Sequence, residues 1–158
     1  MPLEAPAVAE LLDEIGDRLE LTGESPFKVR AYRQAAELLR GLQEPLAELV
    51  ASRKLLKLPG IGEALADKIV SLHKRGAHPT LERLREEVPD GLLQVYRIPG
   101  LGPKKVLALR DQLGVTGLDS LEAAARAGQL AALKGFGAKL QAKVLEALTF
   151  VRVSVGRL

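Results

Sequence analysis

The sequence predicts an all-α protein of two small domains, built from short helices joined by tight turns. Apolar residues recur at three- and four-residue spacing, the period of a helix that is buried on one face. No stretch alternates apolar and polar residues for long enough to indicate a strand. Three Gly-x-Gly sequences interrupt the helical pattern, and each is followed by another amphipathic segment. The expected domains are residues 1–80 and 81–150, which meet near "HPTLERL".

Composition excludes several kinds of site. The 158 residues include no cysteine and only two histidines, so zinc sites and thiol chemistry lack their ligands and nucleophiles. A chain of this length can bury roughly 70% of its unfolded surface, enough for a core without staples. The N-terminus is acidic, and no apolar run approaches the roughly 20 residues that cross a bilayer. We therefore expect a soluble, cytoplasmic monomer that does not contact membranes.

Charge is distributed unevenly along the chain. The net charge is +3, yet residues 1–24 carry seven acids and one base, whereas residues 25–158 carry 22 bases and 13 acids. This larger segment is suited to a polyanion, although an ordinary charged surface accounts for the same balance. Five aromatic residues are too few to support recognition by stacking of bases on rings.

Two amphipathic helices are predicted before the first glycine pair. The first has an apolar stripe of Val8, Leu11, Leu12, Ile15 and Leu19. Its acids are interpreted as a solvated surface and not as a catalytic pair; they are Glu10, Asp13, Glu14, Asp17 and Glu20. The second helix is expected to have Ser25 as N-cap, Pro26 as its first residue and Gly41 at its end. Its expected core residues are Phe27, Ala31, Ala35, Leu38, Leu39 and Leu42.

After one or two short helices in "EPLAELVASRKLLKL", the chain shows an internal repeat. The copies are "LPGIGEALADKIVSL" from Leu58, "IPGLGPKKVLALRDQL" from Ile98 and "LKGFGAKLQAKVLEAL" from Leu133. Their offsets of 40 and 35 residues are too uneven for a solenoid and too similar for chance. Each copy places two glycines around one apolar residue and continues into a helix of about three turns.

The repeat has a physical interpretation as an anion-binding hairpin. Its glycines permit positive φ in a tight turn, while Ile61, Leu101 or Phe136 anchors that turn in the core. Without Cβ atoms another molecule can approach, and the free N–H groups of the next helix favour an anion. The candidate binding residues are Gly60, Gly62, Gly100, Gly102, Lys104, Lys105, Gly135, Gly137 and Lys139. The alternative is a tight turn between packed helices with no ligand.

This pattern resembles the helix-hairpin-helix module of DNA repair and replication proteins, whose hairpins bind the sugar-phosphate backbone without reading bases. "SPFKVRAYRQAAELLRGL" followed by "LPGIGEALADKI" is similar to the N-terminal domain of family X DNA polymerases, the polymerase beta group. The segment from "VPDGLLQVYRIPGLGPKK" to "LKGFGAKL" is similar to the DNA-binding domain that follows in those enzymes. The resemblance covers about residues 8–150 and implies binding of gapped or nicked DNA in repair.

The resemblance also implies an enzymatic alternative. The beta-type domain removes 5′-deoxyribose phosphate through a lysine Schiff base, which would place the nucleophile at Lys68 and pocket residues at Lys28 and Tyr32. Two positions that are basic in the family are Ala64 and Thr80 here, so the 5′-phosphate pocket is weaker. Lys68 is equally suited to a phosphate contact or a surface ion pair.

Further expectations follow from the same family. Polymerase chemistry needs closely spaced aspartates, which this chain lacks, so 151–158 is expected to be a linker toward a missing palm. No cofactor is expected to be required, but the family's hairpin carbonyls hold a monovalent cation such as Na⁺ or K⁺. The corresponding residues are Leu56, Leu58, Ile61, Tyr96, Ile98 and Leu101. A third class, a protein-interaction module using the acidic first helix, is left open.

Overall fold

The computed structural model describes residues 2–154. Within these residues the regular structure consists of nine α-helices and one short 3₁₀ helix, and no strand is present, which confirms the predicted all-α class. The chain divides into two compact units between Glu87 and Val88.

The first unit contains five α-helices around one apolar core. They are α1 (Ala5–Leu21), α2 (Pro26–Arg40), α3 (Leu46–Ala51), α4 (Glu63–Arg75) and α5 (Pro79–Glu87), with the 3₁₀ helix at Leu55–Lys57 before α4. α1 packs most extensively on α2 and also contacts α4 and α5. Gly16 lies where α1 approaches α2, since an added Cβ would stand 3.4 Å from Cγ of Arg33. The predicted stripe of α1 is confirmed, with Leu11 half-buried.

The start and end of α2 agree with the sequence prediction, but one of its core residues does not. The Ser25 hydroxyl accepts a hydrogen bond from the Phe27 N–H, and Gly41 caps the C-terminus. Phe27 was expected to face the core, yet 78% of it is exposed. As the second residue of the helix it lies before the buried face begins at Val29, and its ring instead lies 5.3 Å from the Arg30 guanidinium.

The acidic face of α1 is an ion-pairing surface and not the solvated one that was predicted. Asp13 pairs with Arg40 at 2.7 Å, Asp17 and Glu20 both pair with Arg33, and Glu14 pairs with Arg18 and Arg85. α2 and α5 carry arginines toward α1, so packing brings the two signs of charge together. These arginines therefore offset four of the acids of α1, and the acidic helix offers a partner less free charge than the sequence suggested.

The division between units lies later than the expected boundary at residue 80. α5 belongs to the first unit because Leu81 and Leu84 are each 1% exposed within its core. Arg85 on the same helix pairs with Glu14 of α1. The "HPTLERL" segment is thus part of the first unit and not a linker.

The second unit contains four α-helices and two of the three hairpins. They are α6 (Asp90–Tyr96), α7 (Pro103–Leu113), α8 (Leu118–Arg126) and α9 (Gly137–Ser154). α6 packs on α7 and α8, and α8 packs on α9. Gly91 of α6 is required by this packing, because an added Cβ would overlap the Thr116 carbonyl oxygen.

The predicted linker at 151–158 begins within a helix, since α9 continues through its first four residues to Ser154. Residues 155–158 lie outside the described part of the chain.

Candidate functional site

The first hairpin connects the 3₁₀ helix to α4. The Ile61 N–H donates to the Leu58 carbonyl at 3.2 Å, and Gly60 at the tip has φ +84°. Ile61 is 5% exposed and anchors the turn in the core. Gly62 follows as the N-cap of α4, with its carbonyl accepting from the Ala66 N–H at 2.9 Å.

The second hairpin repeats this geometry between α6 and α7. The Leu101 N–H donates to the Ile98 carbonyl at 3.1 Å, Gly100 has φ +94°, and Leu101 is 3% exposed. Gly102 is the N-cap of α7, and its carbonyl accepts from the Val106 N–H at 3.0 Å. Equivalent hydrogen bonds in the two units show that the sequence repeat encodes one local structure.

In the first two hairpins, the two glycines have different backbone conformations. The first glycine has positive φ, a backbone conformation that is strained for residues with a side chain. Gly62 and Gly102, however, have φ −89° and −80°, which any residue adopts, so the positive φ expected in these two turns occurs at the first glycine alone. An added Cβ at either would also meet no other described atom within 4 Å. Folding of these units does not require the second glycine, whereas close approach of another molecule would.

The third repeat differs at its second glycine. The Phe136 N–H donates to the Leu133 carbonyl at 3.2 Å, and Gly135 has φ +84°, as in the other copies. Gly137 also has positive φ, +74°, and is itself the first residue of α9. The third turn therefore enters its helix with a backbone geometry that differs from that of the first two. The helix is also longer, with 18 residues against 13 for α4 and 11 for α7.

The first helical turns differ in charge. In an α-helix these N–H groups have no intrahelical acceptor and carry partial positive charge. α4 begins with the acid Glu63, whereas α7 begins with Pro103, which has no N–H, followed by Lys104 and Lys105. An anion is therefore favoured more strongly at the second hairpin than at the first.

Four of the predicted binding residues line one cleft in the second unit. Its volume is about 290 Å³, and its lining comprises Gly100, Lys105, Gly135, Phe136, Lys139, Leu140 and Lys143. Lys143, one turn after Lys139 on α9, lies outside the repeated motif, and sequence reasoning missed it. The four-residue spacing of the two lysines was the available signal.

The residues expected of a lyase site lie on two helices of the first unit, Lys28 and Tyr32 on α2 and Lys68 on α4. Tyr32 of α2 is 9% exposed, and burial raises the pKa of its hydroxyl, against the charges of Lys28 and Arg83. The Lys28 side chain is 67% exposed and lies 3.8 Å from Glu24. Arg83 of α5 was missed, because its position in a charged helix carries no motif. Arg83 places a positive charge near Tyr32. It lies on α5, the helix that also contains Thr80.

Lys68 lies on α4, half-buried and close to His78. Burial, and next the charge of Lys68, lower the pKa of the His78 imidazole. Its Nδ1 accepts a hydrogen bond from the Thr80 N–H at 3.0 Å, and its Nε2 lies 4.0 Å from the Asp67 carboxylate. In the described part of the chain Lys68 has no ion-pair partner, so the surface ion pair considered for it is not formed.

Comparisons with known proteins match both units. A family described as "Helix-hairpin-helix domain" matches residues 4–78, and one described as "SAM-like Helix-hairpin-helix tandem" matches residues 90–149. The chain is also 38% identical over 141 residues, 89% of its length, to a DNA polymerase/3′-5′ exonuclease PolX of Bacillus subtilis. Each unit is thus similar to a helix-hairpin-helix family, and most of the chain is similar to a part of this polymerase. The chain spans about a quarter of that relative, 24% of its length.

These matches support a DNA-binding role for the chain. Among residues 2–154, no three His, Cys, Asp or Glu side chains are grouped so that they would hold a metal ion. None of the described helices is both long and apolar enough to span a membrane.

Proposed function

We propose that this chain binds the sugar-phosphate backbone of DNA at its hairpins without reading base sequence. The observation that carries the proposal is the conformation of Gly62 and Gly102. Neither glycine is needed for its backbone angles or for packing within the described residues, yet both stand at helix N-termini beside free N–H groups. A phosphate that approaches those groups needs the space that a Cβ would fill.

Gapped or nicked duplex is the proposed form of the DNA. The support is the resemblance to family X polymerases, whose N-terminal domains act at gaps during repair. In a longer protein of this type, palm and phosphoesterase domains would be the intramolecular partners.

A single substitution at the second glycine of a hairpin tests the proposal. Gly102→Ser adds a Cβ where the isolated unit tolerates one, and serine is a good N-cap. The control is Gly117→Ser at the N-cap of α8, where φ is −175° and the nearest atom to an added Cβ is 3.6 Å away. We expect Gly102→Ser to fold and to bind DNA several-fold more weakly, while Gly117→Ser binds like wild type.

Binding is measured by fluorescence anisotropy against nicked, gapped and intact duplexes of two sequences over a range of salt. Because phosphate contacts release counterions, log K should fall steeply with log salt and show no preference between sequences. A flat salt response, or equal affinity of Gly102→Ser and Gly117→Ser, would contradict the proposal. Equal affinity for all three duplexes would remove the part that concerns gaps.

A second candidate function is cleavage at abasic sites through Lys68. It is favoured by the half-buried position of Lys68 without an acidic partner in the described residues. The neutral Nζ would attack the C1′ aldehyde of the ring-opened sugar, and the resulting adduct would lose water to form an imine. Loss of a C2′ proton from that imine would expel the 3′-phosphate, which breaks the strand. Borohydride reduces that imine to a stable adduct on abasic DNA, expected for wild type and absent in Lys68→Ala. If wild type binds DNA but forms no adduct, the lyase candidate is excluded and the proposed DNA binding stands.

A monovalent cation is proposed at the first two hairpins. The carbonyl oxygens of Leu58 and Ile98 each accept one turn hydrogen bond and keep a second lone pair, so these donors fit a cation such as Na⁺ or K⁺. When bound, the ion would supply positive charge to the hairpin. Replacement of K⁺ by a large organic cation at equal ionic strength should weaken DNA binding, and unchanged binding would contradict the site.

A further inference from the structure

The tips of the second and third hairpins border the same cleft. Gly100 and Gly135, the first glycine of each turn and both of positive φ, line it. Leu140 of α9 packs against the second hairpin, since its Cδ1 lies 3.3 Å from the position of a Cβ at Gly100. The two hairpins of this unit thus border one opening.

Three lysines surround this cleft without compensating acids. Lys105 extends from α7, and Lys139 and Lys143 extend from successive turns of α9. None of the three has an ion-pair partner in the part of the chain that the structure describes. Like charges grouped in this way repel one another, and a bound anion would relieve the repulsion. The lining also includes two apolar residues, Phe136 and Leu140.

The spacing of the lysines indicates a linear anion. Lys139 and Lys143 are four residues apart, which is a rise of about 6 Å along the helix. One DNA strand carries a phosphate roughly every 3.4 Å of helix axis, so neighbouring phosphates of one strand are within reach of both side chains.

We propose that the second and third hairpins form one composite site that holds consecutive phosphates of a single DNA strand, with Lys143 as a contact outside the repeat. This inference rests on the proposed DNA binding and extends it. Two independent hairpins would instead each contact a different strand, and Lys143 would then contribute no more than any other surface cation.

The test compares Lys143→Gln with Arg126→Gln in the full chain. Arg126 is an exposed cation of the same unit, paired with Glu122 at 2.9 Å and outside the cleft, so each variant removes one positive charge. Anisotropy is recorded against a single-stranded oligonucleotide and a nicked duplex from low to moderate salt. Thermal unfolding followed by circular dichroism verifies that both variants remain folded.

We expect Lys143→Gln to reduce the salt slope by about 0.9 on the duplex and about 0.7 on the single strand, as for one lost phosphate contact. Arg126→Gln should leave both slopes near the wild-type value. Equal slopes for the two variants would overturn the composite site while DNA binding stands. A loss on the duplex alone would overturn the assignment to one strand. Absence of salt-dependent binding by wild type would instead contradict the proposed function itself.

Discussion

Arg85 on α5 forms a two-pronged ion pair with Glu14 on α1, across 71 residues of sequence. Its Nε donates to Glu14 Oε2 at 2.7 Å and its Nη2 donates to Oε1 at 2.9 Å. Glu14 also accepts a hydrogen bond from the buried Arg18 at 3.0 Å, so one carboxylate serves two guanidinium groups. This arrangement attaches α5 to the first unit and explains why that unit ends after Glu87.

Glu14→Gln should destabilise the protein by roughly 1–3 kcal/mol, because hydrogen bonds between charged groups are lost at a side chain only 13% exposed. Arg85→Gln should cost less, since its own side chain is 46% exposed and Glu14 keeps Arg18. Urea denaturation measures both. Glu10→Gln, at an exposed acid of the same helix, is the control and should change the free energy of unfolding by less than about 0.5 kcal/mol.

The stabilising effect of Glu14 should depend on pH. The hydrogen bond from Arg85 holds the pKa of this carboxyl below its usual value of 4.5. The contribution is therefore complete above pH 4.5 and is lost as pH falls through the lower folded-state pKa. Wild type and Glu14→Gln should then converge in stability below pH 4.5. A difference that stays constant down to pH 2 would exclude this linkage.

His78 should make α5 sensitive to mild acid. Its Nδ1 accepts from the Thr80 N–H, a role that protonation abolishes, and burial and Lys68 lower its pKa from 6.5. Arg75 acts in the same direction as Lys68, whereas Asp67 and Glu82 act against it. Because the unfolded chain binds this proton more readily, the stabilisation is present above about pH 6.5 and is lost as pH falls.

The matched variant for this effect is His78→Asn, whose side chain can accept the same N–H without titrating. Between pH 7 and pH 5 its melting temperature should fall less than that of wild type. Parallel curves for the two proteins would show that His78 does not control the pH response.

Gly91→Ala should destabilise the second unit by several kcal/mol, because the added methyl group overlaps the backbone of Thr116 just before α8. Backbone atoms cannot move aside as a flexible side chain would. The control is Gly117→Ala, because Gly117 has φ −175°, which alanine adopts without strain. Gly128→Ala would not serve, since Gly128 has φ +77°. Denaturant midpoints that match for the two variants would contradict the close contact.

Phe27→Ala should leave stability nearly unchanged, within about 0.5 kcal/mol, because 78% of this residue is already in solvent. Leu39→Ala on the same helix, at a position 1% exposed, should cost about 2–5 kcal/mol. Chemical denaturation of the pair distinguishes the observed orientation of α2 from the predicted one. A large loss for Phe27→Ala would mean that the ring packs in the core.

Local features were predictable from the sequence because they depend on neighbouring residues. Ser25 and Gly41 bound α2 as expected, and Ile61, Leu101 and Phe136 are buried at the hairpins. Each is specified by helical period, capping chemistry or the apolar residue between two glycines.

Contacts between distant segments were not predictable in the same way. Glu14 and Arg85 meet only because α5 folds onto α1. As a result α5 belongs to the first unit, and most acids on the polar face of α1 are paired with arginines instead of being solvated. Lys143 lines the same cleft as Lys105 and Lys139 only because the fold brings α9 close to α7.

The sequence by itself determined the helical class, the three hairpins and their anchors, since these follow from periodicity and from residues within a few positions of one another. The tertiary structure decided which charges are neutralised and which remain grouped. It also showed that Gly62 and Gly102 have unstrained backbones with open space around them. Electrostatic pairing and free space depend on distances between segments far apart in the chain, and packing alone sets those distances.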